Sequence, residues 1–131
     1  IIEFLVPERG RGSEEPYPLP NLGINAQPLR FLDLLAQNTI RIPLDDITVT
    51  VPHPANFAIH KLIISTRRTK VEKRDKDRAL AVEILKTLVA VDEADSITQL
   101  LQSLPKKWQK LARQALSESP HPDTLTSLFD V

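Results

Sequence analysis

Turn-forming residues are spread very unevenly along this chain, and that asymmetry limits its fold more than any motif does. Eight of the eleven prolines and all three glycines lie at or before Pro54. Proline fixes φ and removes a backbone donor, and both residue types are poor in helix interiors. Residues 1–53 are therefore expected to be strand- and loop-rich, and residues 54–131 helical. The expected fold class is α+β: a small mixed β-sheet followed by a mainly α-helical part, in a single domain over 1–131. A length of 131 residues is one domain's worth and suffices for a core.

Periodicity places the elements. Ile1–Val6 reads as a strand ending at Pro7, and Glu8–Pro20 as a long surface loop. Leu29, Leu32, Leu35 and Ala36 suggest a short helix over Gln27–Gln37. Thr39–Leu44 and Ile47–Val51 read as two strands joined through Asp45-Asp46, with Thr48 and Thr50 alternating against Ile47, Val49 and Val51. Helices are expected from about Ala55 to Arg67 and from about Asp75 to Val91. A third starts at Asp95 or Ser96 and ends near Leu104, a fourth opens at Pro105, and a last turn covers His121 to Phe129.

The formal net charge of zero hides a block. Residues 61–78 hold eight bases and three acids, a net of +5, and the remainder is −5. Overall neutrality argues against a whole-surface nucleic-acid binder or a polybasic membrane binder. The absence of cysteine excludes a disulfide scaffold and a thiolate site. No apolar run reaches the length of a membrane span, so no membrane is expected and a cytoplasmic setting is the default. The chain has no methionine and opens inside what reads as a strand, so it reads as a fragment of a longer protein.

Chemistry concentrates in that basic block. Ala55–Ile64 is almost wholly apolar, as a buried helix is, yet Lys61 sits within it and Arg68 follows on nearly the same face. Either both stems snorkel to water, or both heads enter a cleft and hold a phosphate or carboxylate. On the next helix Asp77 heads the stripe of Ala81, Ile84, Leu88 and Val91, all within about 40° of it. Asp77 either caps the helix or pairs with Lys61, Arg67 or Arg68 and pins two helices together. Lys70 to Lys76 reads as a solvated connection or as a funnel for nucleotide or RNA phosphates. Gly10-Arg11-Gly12-Ser13 lacks the Lys-Ser/Thr ending and following helix of a P-loop and reads as a loop. His53 and His60 lack a local third ligand, and His60 reads as a satisfied core residue.

The series Val51-Pro52-His53-Pro54-Ala55-Asn56-Phe57-Ala58-Ile59-His60-Lys61-Leu62, Arg67-Arg68, Lys73-Arg74-Asp75-Lys76-Asp77 and Ala81 resembles the second half of a nucleotidyltransferase-fold family. That family is bacterial and related to AbiEii-type abortive-infection toxins. Ile2–Val6 and Leu22–Leu32 resemble it too, so the likeness covers roughly residues 1–90. The resemblance implies Mg²⁺ held by an acid pair after a Gly-Ser turn and by a third acid on a neighbouring strand. It implies a nucleoside triphosphate as substrate and transfer of a nucleotidyl group to an acceptor hydroxyl, on RNA or protein, by in-line displacement. Glu3 stands about where the third metal acid is expected, although aspartate is usual there. Lys61 matches the family lysine that approaches the phosphates, and Arg68 and Asp77 match its arginine and aspartate. Arg67 joins them as a nucleotide-binding candidate. The Gly-Ser turn and first acid pair are not found in this chain, so the fragment alone is expected to be inactive. The tail from Asp92 onward reads as a packed cap. The other readings are a non-catalytic module that uses the basic 61–78 helix pair against RNA or an acidic protein, and a degenerate homologue serving only as structure.

Overall fold

The computed structural model describes residues 5–8, 15–29 and 31–130. Strands β1 (Leu5–Pro7), β2 (Tyr17–Leu19) and β3 (Ile24–Leu29) form a sheet in the order β1-β3-β2. β1 runs parallel to the second half of β3, from Leu5 opposite Gln27 to Pro7 opposite Leu29. β2 runs antiparallel to the first half, from Tyr17 opposite Ala26 to Leu19 opposite Ile24. Each half of β3 thus has one neighbour, which is why a chain position without an N–H, Pro28, is tolerated in the middle strand. A 3₁₀ turn at Pro20–Leu22 links β2 to β3 and closes on Gly23, whose φ of 64° is the left-handed region that glycine enters without strain.

Three expectations change here. The loop expected over Glu8–Pro20 contains β2, because its short apolar pair finds an edge to pair with. The helix expected from Gln27 begins only at Leu32 as α1 (Leu32–Ala36), since residues up to Leu29 are strand and a residue before proline avoids the helical region. The strands also divide into two sheets rather than one. β4 (Thr39–Leu44) and β5 (Ile47–Pro52) form a separate antiparallel hairpin with a two-residue loop, Leu44 standing opposite Ile47. Asp45 opens that loop with φ of 53°.

The helices follow. α2 (Pro54–Ser65) starts at a proline whose missing N–H costs nothing there, and the His53 Nδ1 accepts the Ala55 N–H at 3.1 Å. Ala55, Ala58, Ile59, Leu62 and Ile63 are at most 1% exposed, because α2 is surrounded by α1, α3 (Val71–Ala90), α4 (Ala94–Ser103) and α5 (Lys106–Ser117). The Asn56 side chain ties α2 to α1 by donating to the Leu34 carbonyl at 2.9 Å. α3 begins at Val71, ahead of the expected Asp75, so Lys73 to Lys76 form its first turns rather than a connection. α6 (Asp123–Phe129) closes the core with Leu125 and Phe129. Arg113 of α5 holds it, donating from Nε and Nη2 to the Phe129 carbonyl at 3.0 and 2.8 Å. No helix is long and apolar enough to cross a membrane, among the described residues.

Candidate functional site

Asp77 is the seventh residue of α3, too far along to cap it, and its side chain faces back onto α2. Its Oδ1 lies 3.4 Å from Lys61 Nζ, and its Oδ2 accepts from Arg68 Nε at 2.8 Å. The capping alternative for Asp77 is thereby replaced by a buried ion cluster between α2 and α3. The cluster has one carboxylate and two cations, so it carries a net positive charge. Its exposure is graded: the Asp77 side chain is 11% accessible, Lys61 22% and Arg68 37%. The acid lies at the bottom and the bases reach the surface. The Lys61 ammonium also sits 5.4 Å from the centre of the Phe57 ring, a cation–π contact that fixes its direction. The Arg68 Nη groups have no partner among the described residues. Such a set can hold a phosphate: an arginine fork presents paired donors, a lysine supplies a point charge, and the acid holds both in place.

Arg67 does not join this cluster. It follows α2 as an exposed side chain. Glu3 lies outside the described residues, as does Gly10–Ser13. His60 is buried in the core and His53 is spent on capping α2.

Next to Asp77, Arg78 turns the opposite way. It is 6% exposed, donates from Nε to Ser65 Oγ at 3.0 Å and places Nη2 2.9 Å from Glu118 Oε2. Ser65 Oγ in turn donates to the Leu62 carbonyl at 2.6 Å. Adjacent residues of α3 therefore clamp it to α2 on one side and to the end of α5 on the other. Sequence reading counted Arg78 only as one more base. No local signal could have found its partner, because Glu118 lies two helices further on.

Glu3, the one magnesium ligand that the resemblance points to in this chain, lies outside the described residues. Among them there is no group of three His, Cys, Asp or Glu side chains able to hold a metal, and both oxygens of Asp77 already face cations.

A protein-family model described as nucleotidyltransferase matches residues 1–114. No curated protein matches the chain, and no solved structure does.

Proposed function

Because the chain belongs to the nucleotidyltransferase family, we propose that Lys61 and Arg68 form the phosphate-holding side of a nucleoside triphosphate site. Asp77 positions both from below. The observation that carries this reading is the graded exposure of a net-positive cluster over a buried carboxylate. In transfer of a nucleotidyl group to an acceptor hydroxyl, negative charge shifts toward the leaving phosphates, and fixed cations stabilise that shift without reorganising. A metal would neutralise the same charge. Any divalent cation bound with the triphosphate is held by carboxylates other than Asp77, and Glu3 is the one the resemblance points to.

The test is calorimetric titration of the full-length chain with each of the four ribonucleoside triphosphates and magnesium. At least one is expected to bind, and Lys61→Ala and Arg68→Ala are each expected to weaken it about tenfold or more, as loss of a charge-assisted contact does. Unchanged affinity in both variants, with the fold intact by circular dichroism, would refute the assignment.

A second reading uses the outer face of the same helix pair. Lys70, at the N-cap of α3, and Lys73 and Lys76, on its first turns, are exposed. As a non-catalytic module, they would bind an RNA or acidic protein with steep salt dependence. Nucleotide held by the partly buried cluster responds less to salt.

A further inference from the structure

The two edges of the β4–β5 hairpin differ in what they offer a further strand. In an antiparallel pair, residues that bond each other across the ladder alternate with residues whose backbone groups point away. The His53 N–H reaches the Asn38 carbonyl at 2.9 Å, which sets the phase of that alternation. Counting by twos from there, the ladder bonds fall on Ile40–Val51, Ile42–Val49 and Leu44–Ile47. The backbone groups of Thr39, Arg41 and Pro43 therefore point out along the β4 edge, and those of Thr48, Thr50 and Pro52 along the β5 edge.

The β4 edge is guarded. Arg41 places a charge there and Pro43 lacks a donor, and both features keep an edge strand unpaired. The β5 edge is open. Ile47-Thr48-Val49-Thr50-Val51 is β-branched throughout, uncharged and free of proline. Among the described residues β5 pairs with β4 alone, and Thr48 and Thr50 are exposed. The same register gathers Ile40, Ile42, Leu44, Ile47, Val49 and Val51 on one face, where Ile47 at the tip is 64% exposed.

We propose that β5 pairs antiparallel with β5 of a second copy of this chain, across a two-fold axis at Val49, to give a sheet ordered β4-β5-β5-β4. Thr48 of each copy then stands opposite Thr50 of the other, and each such pair exchanges both of its outward backbone bonds. An axis at Thr50 would set Pro52, which has no N–H, against Thr48. An axis at Thr48 would run Thr50 into the Asp45-Asp46 turn. With the axis at Val49, the exposed Ile47 comes beside the half-buried Val51 of the second copy, and the apolar face continues from one hairpin to the other.

Charge selects a second copy over an unrelated strand. In this register the Asp45-Asp46 turn falls beside Pro52-His53 of the second copy, where α2 starts. α2 has no acid in its first turn, and a helix N-terminus favours one. His53 Nδ1 accepts the Ala55 N–H, so the neutral ring carries its proton on Nε2, a donor suited to a carboxylate. The two-fold axis makes this match at both ends of the strand pair. The guarded β4 edges lie outermost, so the assembly closes at a dimer instead of growing.

The experiment is analytical ultracentrifugation of the chain over a wide concentration series, with amide hydrogen exchange at its two ends. A monomer–dimer equilibrium is expected. Protection of the Thr48 and Thr50 amides is expected to rise with concentration, while that of Thr39 and Arg41 stays unchanged. Thr48→Glu/Thr50→Glu sets like charges opposite each other across the axis and is expected to weaken the dimer about tenfold. Thr48→Lys/Thr50→Glu sets opposite charges at the same positions and is expected to dimerise like wild type. A monomer at every concentration overturns the proposal, as does growth into larger assemblies or a dimer that Thr48→Glu/Thr50→Glu leaves intact. Equal weakening in both variants overturns the axis at Val49. Should either variant fail to fold, exchange in the wild type still decides: concentration-dependent protection at Thr39 and Arg41, or none at Thr48 and Thr50, refutes pairing through β5.

Discussion

At the level of single residues, Asp77 is the one whose neighbours depend on it most. Removing it leaves Lys61 and Arg68 close together with no counter-charge between them. Asp77→Ala is expected to destabilise the protein by ~1–3 kcal/mol in urea melts, the lower end applying because Arg68 is 37% accessible and water screens part of the loss. A melt identical to wild type would contradict the pinning role. Glu118 gives the matching pH test. The Gln114 hydrogen bond, ahead of the Arg78 and Arg74 charges, outweighs desolvation and lowers the Glu118 carboxyl from its ordinary 4.5. A carboxyl with a lowered folded pKa contributes stability above its unfolded pKa and loses it as pH falls through the folded value. The Tm difference between wild type and Glu118→Gln should therefore be present at neutral pH and shrink below about pH 4.5. A difference constant across that range would remove Glu118 from the account. Lys61, Arg68 and Asp77 were legible in the sequence because each breaks an apolar pattern, and a charge inside an apolar stripe needs a partner. Arg78, Ser65 and Glu118 were not, since nothing local in a sequence records which distant carboxylate an arginine meets.

Among the elements, those with a clear period were read nearly as they stand, and those shaped by tertiary pairing were not. β4, β5 and α2 through α6 follow from alternation, helical spacing and proline positions. β2 is three residues that become a strand only because β3 lies alongside, and Gln27 to Leu29 look helical until β1 pairs with them. The end of α3 shows a device the sequence half displays. Asp92 has φ of 62°, its N–H donates to the Val89 carbonyl, and the Glu93 N–H reaches the Leu88 carbonyl at 2.8 Å. This is a Schellman cap with aspartate where glycine is favoured. Asp92→Gly relieves left-handed strain at the cost of a looser unfolded chain, for a net gain of about 0.5–1 kcal/mol in urea melts. A loss of stability instead would mean that the Asp92 side chain has a role of its own. The β4–β5 hairpin lies at the other extreme. Ile42, Leu44 and Ile47 are exposed along it, and a two-stranded hairpin gains little stability alone. Its amides should exchange with solvent well before those of α2, and equal protection would show that the hairpin is covered.

For the whole molecule, the family match and the packing do not end at the same place. The match stops at residue 114, yet Ala115, Leu116, Leu125 and Phe129 belong to the same buried cluster as Ile59 and Leu62 of α2. α5 runs past the match, its outer face lined with lysines and its far end gripping Arg78 through Glu118. The tail is thus part of what holds α2 and α3 in register, and through them the spacing of Lys61, Arg68 and Asp77. Phe129, at 2% exposure, makes this measurable. Phe129→Ala removes a ring from the core and leaves a cavity between α5 and α6, a change that costs about 3–5 kcal/mol. A domain of this size has a total stability of about 5–15 kcal/mol, so the urea midpoint should fall steeply while the slope of the transition stays the same. Leu44→Ala on the exposed hairpin, a truncation of similar kind, should shift the midpoint by about 0.5 kcal/mol or less. If the two variants melted alike, the tail would be an appendage; if Phe129→Ala alone fell, and nucleotide affinity fell with it at urea concentrations where wild type still binds, the last helix would be shown to support the phosphate cluster from across the core.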